Sequence, residues 1–146
     1  MVNTATLKLI KDFEGVRYRA YKDSVGKWTI GVGHLILPGE QDLITKVLTD
    51  TEVDALLQTD LTKAEKAVDA FVKVPLNDNQ RGALVSFVFN LGGGRLASST
   101  LLELVNEKQF DEAASEFPKW SNAGGKRVVG LVRRREAEKQ LFLTLV

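Results

Sequence analysis

Apolar residues at the start of the chain recur with a helical period. Leu7, Ile10 and Phe13, joined by Leu9, form one side; Asn3 or Thr4 can cap the start and Gly15 can end it. The period then changes. Tyr18, Ala20 and the run Trp28-Thr29-Ile30-Gly31-Val32 are rich in aromatic, β-branched and glycine residues, and Ser24-Val25-Gly26-Lys27 separates them. This predicts a β-hairpin, extended by a third strand before Pro38-Gly39. Trp28, Ile30 and Val32 should pack inward. Gly31 and Gly33 should share the side of Thr29, where the lack of side chains would let a bulky ligand approach the sheet.

From about Leu43 the helical period returns. Asp50 or Thr51 can cap a long amphipathic helix carrying Leu56, Leu57, Leu61, Ala64, Ala67, Val68 and Phe71, which Val74-Pro75 breaks. Asn77 or Asp78 starts the next helix. It is apolar almost all round at Leu84, Val85, Phe87, Val88, Phe89 and Leu91, hence buried, and Gly92-Gly93-Gly94 stops it. Further helices are predicted over 99–107, 111–117 and 131–143. One helix, a small antiparallel sheet and then helices to the end indicate an α+β fold. The expectation is one domain, with a helix-plus-β lobe over about 1–50, a helical lobe over about 51–146 and a ligand cleft between them.

Composition narrows the class. The 146 residues suit one domain with a sizeable core, and 44% hydrophobic against 27% charged residues is a globular balance. With no cysteine, disulfides and thiolate metal sites are excluded, and a lone histidine cannot build a histidine-rich metal site. A net charge of +1 argues against a dedicated nucleic-acid binder. The balance is uneven, however: Lys119, Lys126, Arg127, Arg133, Arg134, Arg135 and Lys139 face only Glu136 and Glu138. That stretch is either a surface for an anionic polymer or a solvated helix face. The first residues show no basic region ahead of an apolar stretch, and no apolar run nears the roughly 18 residues that span a membrane. A chain made in a cytoplasm, without stable membrane insertion, is expected.

Polar residues around the hairpin can carry chemistry. Glu14 lies one turn beyond Ile10, at the edge of the apolar face and at the helix C-terminus. Partial burial and the negative end of the helix dipole would both favour the protonated carboxyl. A glycosidic leaving group requires such an acid. The alternative is a surface glutamate paired with Arg17 or Arg19. Asp23, at the tip of the first strand, either makes local turn hydrogen bonds or works with Thr29 on the return strand. A three-residue loop would set Asp23 opposite Thr29 on one face and an even loop would not, so the register stays open. His34 shares the parity of Ile30 and Val32 and reads as a buried structural histidine; a negative partner would raise its pKa and tie the sheet to a helix. There is no Walker loop and no nucleophile elbow, and Gly31-Val32-Gly33 is too short for a dinucleotide fingerprint.

Glu14, eight residues, Asp23, five residues and Thr29 stand within Glu14-Gly15, Ala20-Tyr21-Lys22-Asp23 and Trp28-Thr29-Ile30-Gly31-Val32-Gly33-His34. This constellation resembles the T4-type phage lysozyme family, glycoside hydrolase family 24. Leu56-Leu57-Gln58-Thr59-Asp60-Leu61, Val74-Pro75-Leu76-Asn77, Phe89-Asn90-Leu91-Gly92, and Gly130-Leu131 with Arg134, Arg135 and Glu138 agree. The resemblance therefore spans essentially the whole chain, and residues 92–95 and 122–126 look like the shorter lambdoid-phage members.

The resemblance implies a lysozyme-like fold with the active-site cleft between the lobes. It also implies hydrolysis, without cofactor or metal, of the β-1,4 bond between N-acetylmuramic acid and N-acetylglucosamine in peptidoglycan. Glu14 would be the general acid. Asp23 would stabilise positive charge on the sugar and, with Thr29, place the attacking water. Leu35 and Phe89 would line the cleft with Asn90 beside them, and His34 would pair with Asp60 in a structural role. A monomer is implied that binds peptidoglycan strands and not nucleic acid. It would wait in the host bacterial cytoplasm, leave through a holin pore and lyse the cell for phage release. Inversion by direct water attack is expected; the rivals are a lytic transglycosylase and an inactive wall-binding module of the same fold.

Overall fold

The computed structural model describes residues 1–145. Two compact units divide it: Ile10–Asp60, and Met1–Leu9 with the residues from Leu61 onward.

The smaller unit takes in the end of α1 (Thr4–Glu14), then β1 (Arg17–Lys22), β2 (Trp28–Gly31) and β3 (His34–Leu35). These three strands form an antiparallel sheet in the order β1-β2-β3. Tyr21 faces Thr29, Lys22 faces Trp28, Thr29 faces Leu35 and Ile30 faces His34. An irregularity between Arg17 and Tyr21 releases part of β1 from β2. The released backbone pairs elsewhere: Leu48 N–H donates to the Tyr18 carbonyl at 2.9 Å, and Arg19 bridges to Val47. Ile30, Val32, Leu48, Val53 and Leu57 are buried.

Several details depart from expectation. Trp28 is 38% exposed rather than inward. It sits on the last rung before the turn, where the Lys22 ammonium lies 5.3 Å from its ring centre. Gly31 does not open the sheet to a ligand: at φ +68° its missing Cβ would stand 3.4 Å from Leu56 and 3.9 Å from Leu48. Helical structure is expected from about Leu43, yet Leu43 and Ile44 close a short 3-10 helix, Pro38–Ile44, and α2 (Asp50–Phe71) starts only after nonhelical residues 45–49. Its cap is Thr49 rather than Asp50 or Thr51. Thr49 Oγ1 accepts from Glu52 N–H at 3.2 Å while Glu52 Oε1 accepts from Thr49 N–H at 3.0 Å, a reciprocal capping box.

The larger unit holds the remaining helices: α3 (Asp78–Leu91), α4 (Gly93–Ala97), α5 (Thr100–Asn106), α6 (Phe110–Ala114) and α7 (Val129–Leu143). Between α6 and α7 lie a 3-10 turn, Phe117–Lys119, and a hairpin of β4 (Asn122–Ala123) and β5 (Lys126–Arg127). The apolar girth of α3 makes it the centre of the unit, buried from Gly82 to Val88 and packed along α7. Phe87 meets Phe117 and Trp120 edge-on, with ring centres 5.9 and 5.5 Å apart. Gly92, at φ +96°, alone ends α3; Gly93 and Gly94 open α4 instead of continuing the stop. The helix expected over 111–117 ends at Ala114, and Pro118, lacking an N–H, sits in the separate 3-10 turn. The β4–β5 hairpin was not anticipated, although Gly124-Gly125 at φ +59° and +77° is a turn such a hairpin favours. No helix among the described residues is long and apolar enough to cross a membrane.

Candidate active site

Glu14 is the last residue of α1, where Gly15 turns the chain toward β1 at φ +80° and donates its N–H to the Lys11 carbonyl at 2.9 Å. The helix end is where expected, with the negative end of the dipole close by. The expected partial burial is not met: Glu14 is exposed. The apolar face of α1 is covered at Ile10, one turn earlier, and the covering stops there.

Asp23 sits one residue beyond the last β1–β2 rung. Its N–H donates to the Lys27 carbonyl at 2.8 Å, and its own carbonyl accepts from Gly26 N–H at 3.0 Å. The loop proper is therefore Ser24-Val25-Gly26, a three-residue hairpin connection with the left-handed residue last, Gly26 at φ +83°. Asp23 Oδ1 accepts from the N–H groups of Val25, at 3.0 Å, and Lys27, at 2.8 Å. The register corrects one expectation. The loop has three residues, yet Asp23 faces Lys27 and Thr29 faces Tyr21, so Asp23 and Thr29 are diagonal neighbours of the same parity rather than opposed. Thr29 is buried at 4% exposure, and its Oγ1 donates to the Lys27 carbonyl at 3.1 Å. Leu35 lies across from Thr29 on β3 and is 46% exposed.

His34 is buried, with both ring nitrogens engaged. Nδ1 lies 2.8 Å from Asp60 Oδ2 and Nε2 lies 2.9 Å from Glu40 Oε1. Burial works against a charged ring, but hydrogen bonds to Glu40 and Asp60, together with their charges, prevail and raise its pKa above 6.5. Glu40 also accepts from Leu37 N–H at 2.9 Å. That bond first, and His34 second, hold its carboxyl below the usual range. Glu40 was not anticipated. The signal available was an acidic residue in the first turn after Pro38-Gly39, six positions from the histidine.

Phe89 and Asn90 lie near the end of α3 in the larger unit and are half-buried. Asn90 Oδ1 accepts from Arg135 Nη2 at 2.8 Å. The basic stretch of α7 is partly internal: Arg134, Arg135 and Glu138 are 4%, 0% and 0% exposed. Ser86 Oγ donates to Glu138 Oε2 at 2.6 Å, and Arg135 Nε approaches Glu138 Oε1 at 2.7 Å. Burial pushes the Glu138 carboxyl up, against the pull of the two arginines and Ser86. Two of the seven basic residues are thus removed from any anion-facing surface. Among the described residues no cluster of histidine, aspartate and glutamate could hold a metal ion.

A family model described as phage lysozyme matches residues 11–138. The chain is 43% identical over 145 residues to the endolysin of Bacillus phage B103, covering 98% of this chain but 54% of that protein, about half of its length. It is 41% identical over 136 residues to the endolysin of Salmonella phage P22, covering 92% of each. A crystal structure of a P22 lysozyme variant matches with a TM-score of 0.90 at 36% identity, over 99% of both chains. The muramidase domain of SpmX from Asticaccaulis excentricus matches with a TM-score of 0.82 at 38% identity, again over 99% of both chains.

Proposed function

Because this chain belongs to the phage lysozyme family, we propose that it is an endolysin that hydrolyses the β-1,4 bond between N-acetylmuramic acid and N-acetylglucosamine in peptidoglycan. The observation that carries this reading is the hairpin turn, in which the Lys27 N–H tethers the Asp23 carboxylate and the Lys27 carbonyl accepts both the Asp23 N–H and Thr29 Oγ1. Glu14 gives its proton to the glycosidic oxygen as the bond to the sugar carbon breaks. Asp23 stabilises positive charge developing on the ring. A water positioned by Thr29 Oγ and the Asp23 carboxylate attacks the same carbon from the opposite face and passes its proton to Asp23, inverting the configuration. Leu35, Phe89 and Asn90 contact the glycan, and His34 with Asp60 supports the sheet. The chain works as one catalytic domain and as a monomer. It is made in the host bacterial cytoplasm and reaches the wall through a holin pore to release phage.

Muropeptide analysis by mass spectrometry, with Glu14→Gln alongside, tests the reading. Reducing N-acetylmuramic acid ends are expected from the parent and none from the variant. Anhydro ends would make the enzyme a transglycosylase, and equal lysis by both proteins would remove Glu14 from the acid's role. The anomer first released from a defined oligosaccharide tests inversion; a retained configuration overturns direct water attack.

A further inference from the structure

We infer that Gly26 is a positioning residue: its left-handed backbone aims the Lys27 main chain, which sets Asp23 and Thr29 relative to one another. The inference rests on the catalytic roles proposed above for those two residues and concerns how their geometry is built.

One residue's backbone joins both groups. The Lys27 N–H donates to Asp23 Oδ1 at 2.8 Å, and the Lys27 carbonyl accepts both the Asp23 N–H at 2.8 Å and Thr29 Oγ1 at 3.1 Å. A carbonyl oxygen can only accept, so the hydroxyl proton of Thr29 is committed to Lys27. Thr29 Oγ therefore offers lone pairs, which a water O–H can donate to. Asp23 Oδ1 is occupied by two amide groups, and Oδ2 receives no hydrogen bond from the described residues. The Asp23 side chain thus cannot turn freely, and its second oxygen is the one left for sugar or water.

Gly26 controls the aim. Its φ of +83° lies where an L-residue is strained, whereas nothing stands within 4 Å of a Cβ built there. Space is therefore not the reason for glycine at this position; the sign of φ is. With residue 26 at negative φ, the following peptide rotates. The Lys27 N–H leaves Asp23, and the carbonyl shared by Asp23 N–H and Thr29 Oγ1 moves with it. Three hydrogen bonds depend on one dihedral angle. The loop contributes little to the core, since Ser24, Gly26 and Lys27 are exposed and Val25 is 74% exposed. A change there should disturb catalysis before stability.

Steady-state kinetics on solubilised glycan strands test this. Asn is tolerated in the left-handed region and β-branched Val is not. Gly26→Val should lower kcat on the order of 10²-fold with KM unchanged, as misplacement of catalytic groups does. Gly26→Asn should recover kcat to within about threefold of the parent, and Ser24→Ala should match the parent. A parental kcat in Gly26→Val, or equal impairment in Gly26→Val and Gly26→Asn, overturns the inference. Should Gly26→Val not fold, an amide-to-ester change at Lys27 removes only the N–H, and a parental kcat there is equally fatal. Asp23→Ala separates the two levels. If it stays active, the proposed role of Asp23 fails; if it is inactive while Gly26→Val is fully active, the positioning inference alone fails.

Discussion

Asp60→Asn asks whether His34 is held as an imidazolium. Both ring nitrogens face carboxylate oxygens, at 2.8 Å to Asp60 and 2.9 Å to Glu40. Ionised carboxylates only accept, so both nitrogens must carry protons for both bonds to form. Asparagine keeps an acceptor but loses the charge, turning a charge-assisted bond of about 2 kcal/mol into an ordinary one of about 1 kcal/mol. Asp60 is 25% exposed, so most of that difference survives solvent screening, and the variant should lose about 1 kcal/mol, or ~3 °C in Tm. Glu40, at 32% exposure, is screened more, and Glu40→Gln should lose only about 0.5 kcal/mol.

The pH dependence has a definite sign. His34's folded pKa is raised above 6.5, so its contribution is complete below that value and is lost as pH rises through the folded value. Glu40's folded pKa is depressed below 4.5, so its contribution is present above that value and is lost as pH falls through the folded one. The gap between parent and Asp60→Asn should therefore be widest near pH 6 and shrink toward pH 9. Thermal melts followed by circular dichroism measure it. Because the chain has one histidine, a single imidazole C–H resonance reports its pKa by NMR. A parental His34 titrating at or below 6.5, or a Tm gap equal at both pH values, would refute the reasoning.

Gly82→Ala places a Cβ 1.8 Å from Thr6 Oγ1 and should cost about 1–3 kcal/mol in a chemical denaturation curve; Thr6→Ala should restore part of the loss. Glu138→Ala leaves Arg135 buried at 0% exposure with its ion pair removed, and should lower stability by about 3–5 kcal/mol, read as a fall in urea midpoint. Thr49→Ala removes the hydroxyl of the α2 capping box and should cost about 1 kcal/mol by the same measurement.

Local pattern carried much of this protein. The caps at Asn3 and Asn77, the helix end at Glu14 and a turn within Ser24-Val25-Gly26-Lys27 follow from chemistry within a few residues, because their partners are neighbours along the chain, whereas the three-residue length of that turn is visible only in the folded hairpin. The same holds for the Thr49–Glu52 box and the Gly124-Gly125 hairpin, whose signals are short motifs. The spacing of Glu14, Asp23 and Thr29 was also legible, since short elements join them. Their side-chain environment was not. Whether Glu14 is covered depends on what reaches the end of α1, and its exposure reversed the expectation drawn from the helical wheel. Gly31 looked like an opening until Leu48 and Leu56, both distant in sequence, were found beneath it. Arg134 and Arg135 read as surface charge because periodicity cannot foresee Ser86 and Asn90 arriving from α3. The Lys27 backbone has its partners, Asp23 and Thr29, within four residues, yet its role is set by the folded turn, because residue identity says nothing of where an N–H or a carbonyl points. That direction is a property of the folded turn, and it holds Asp23 and Thr29 to one another.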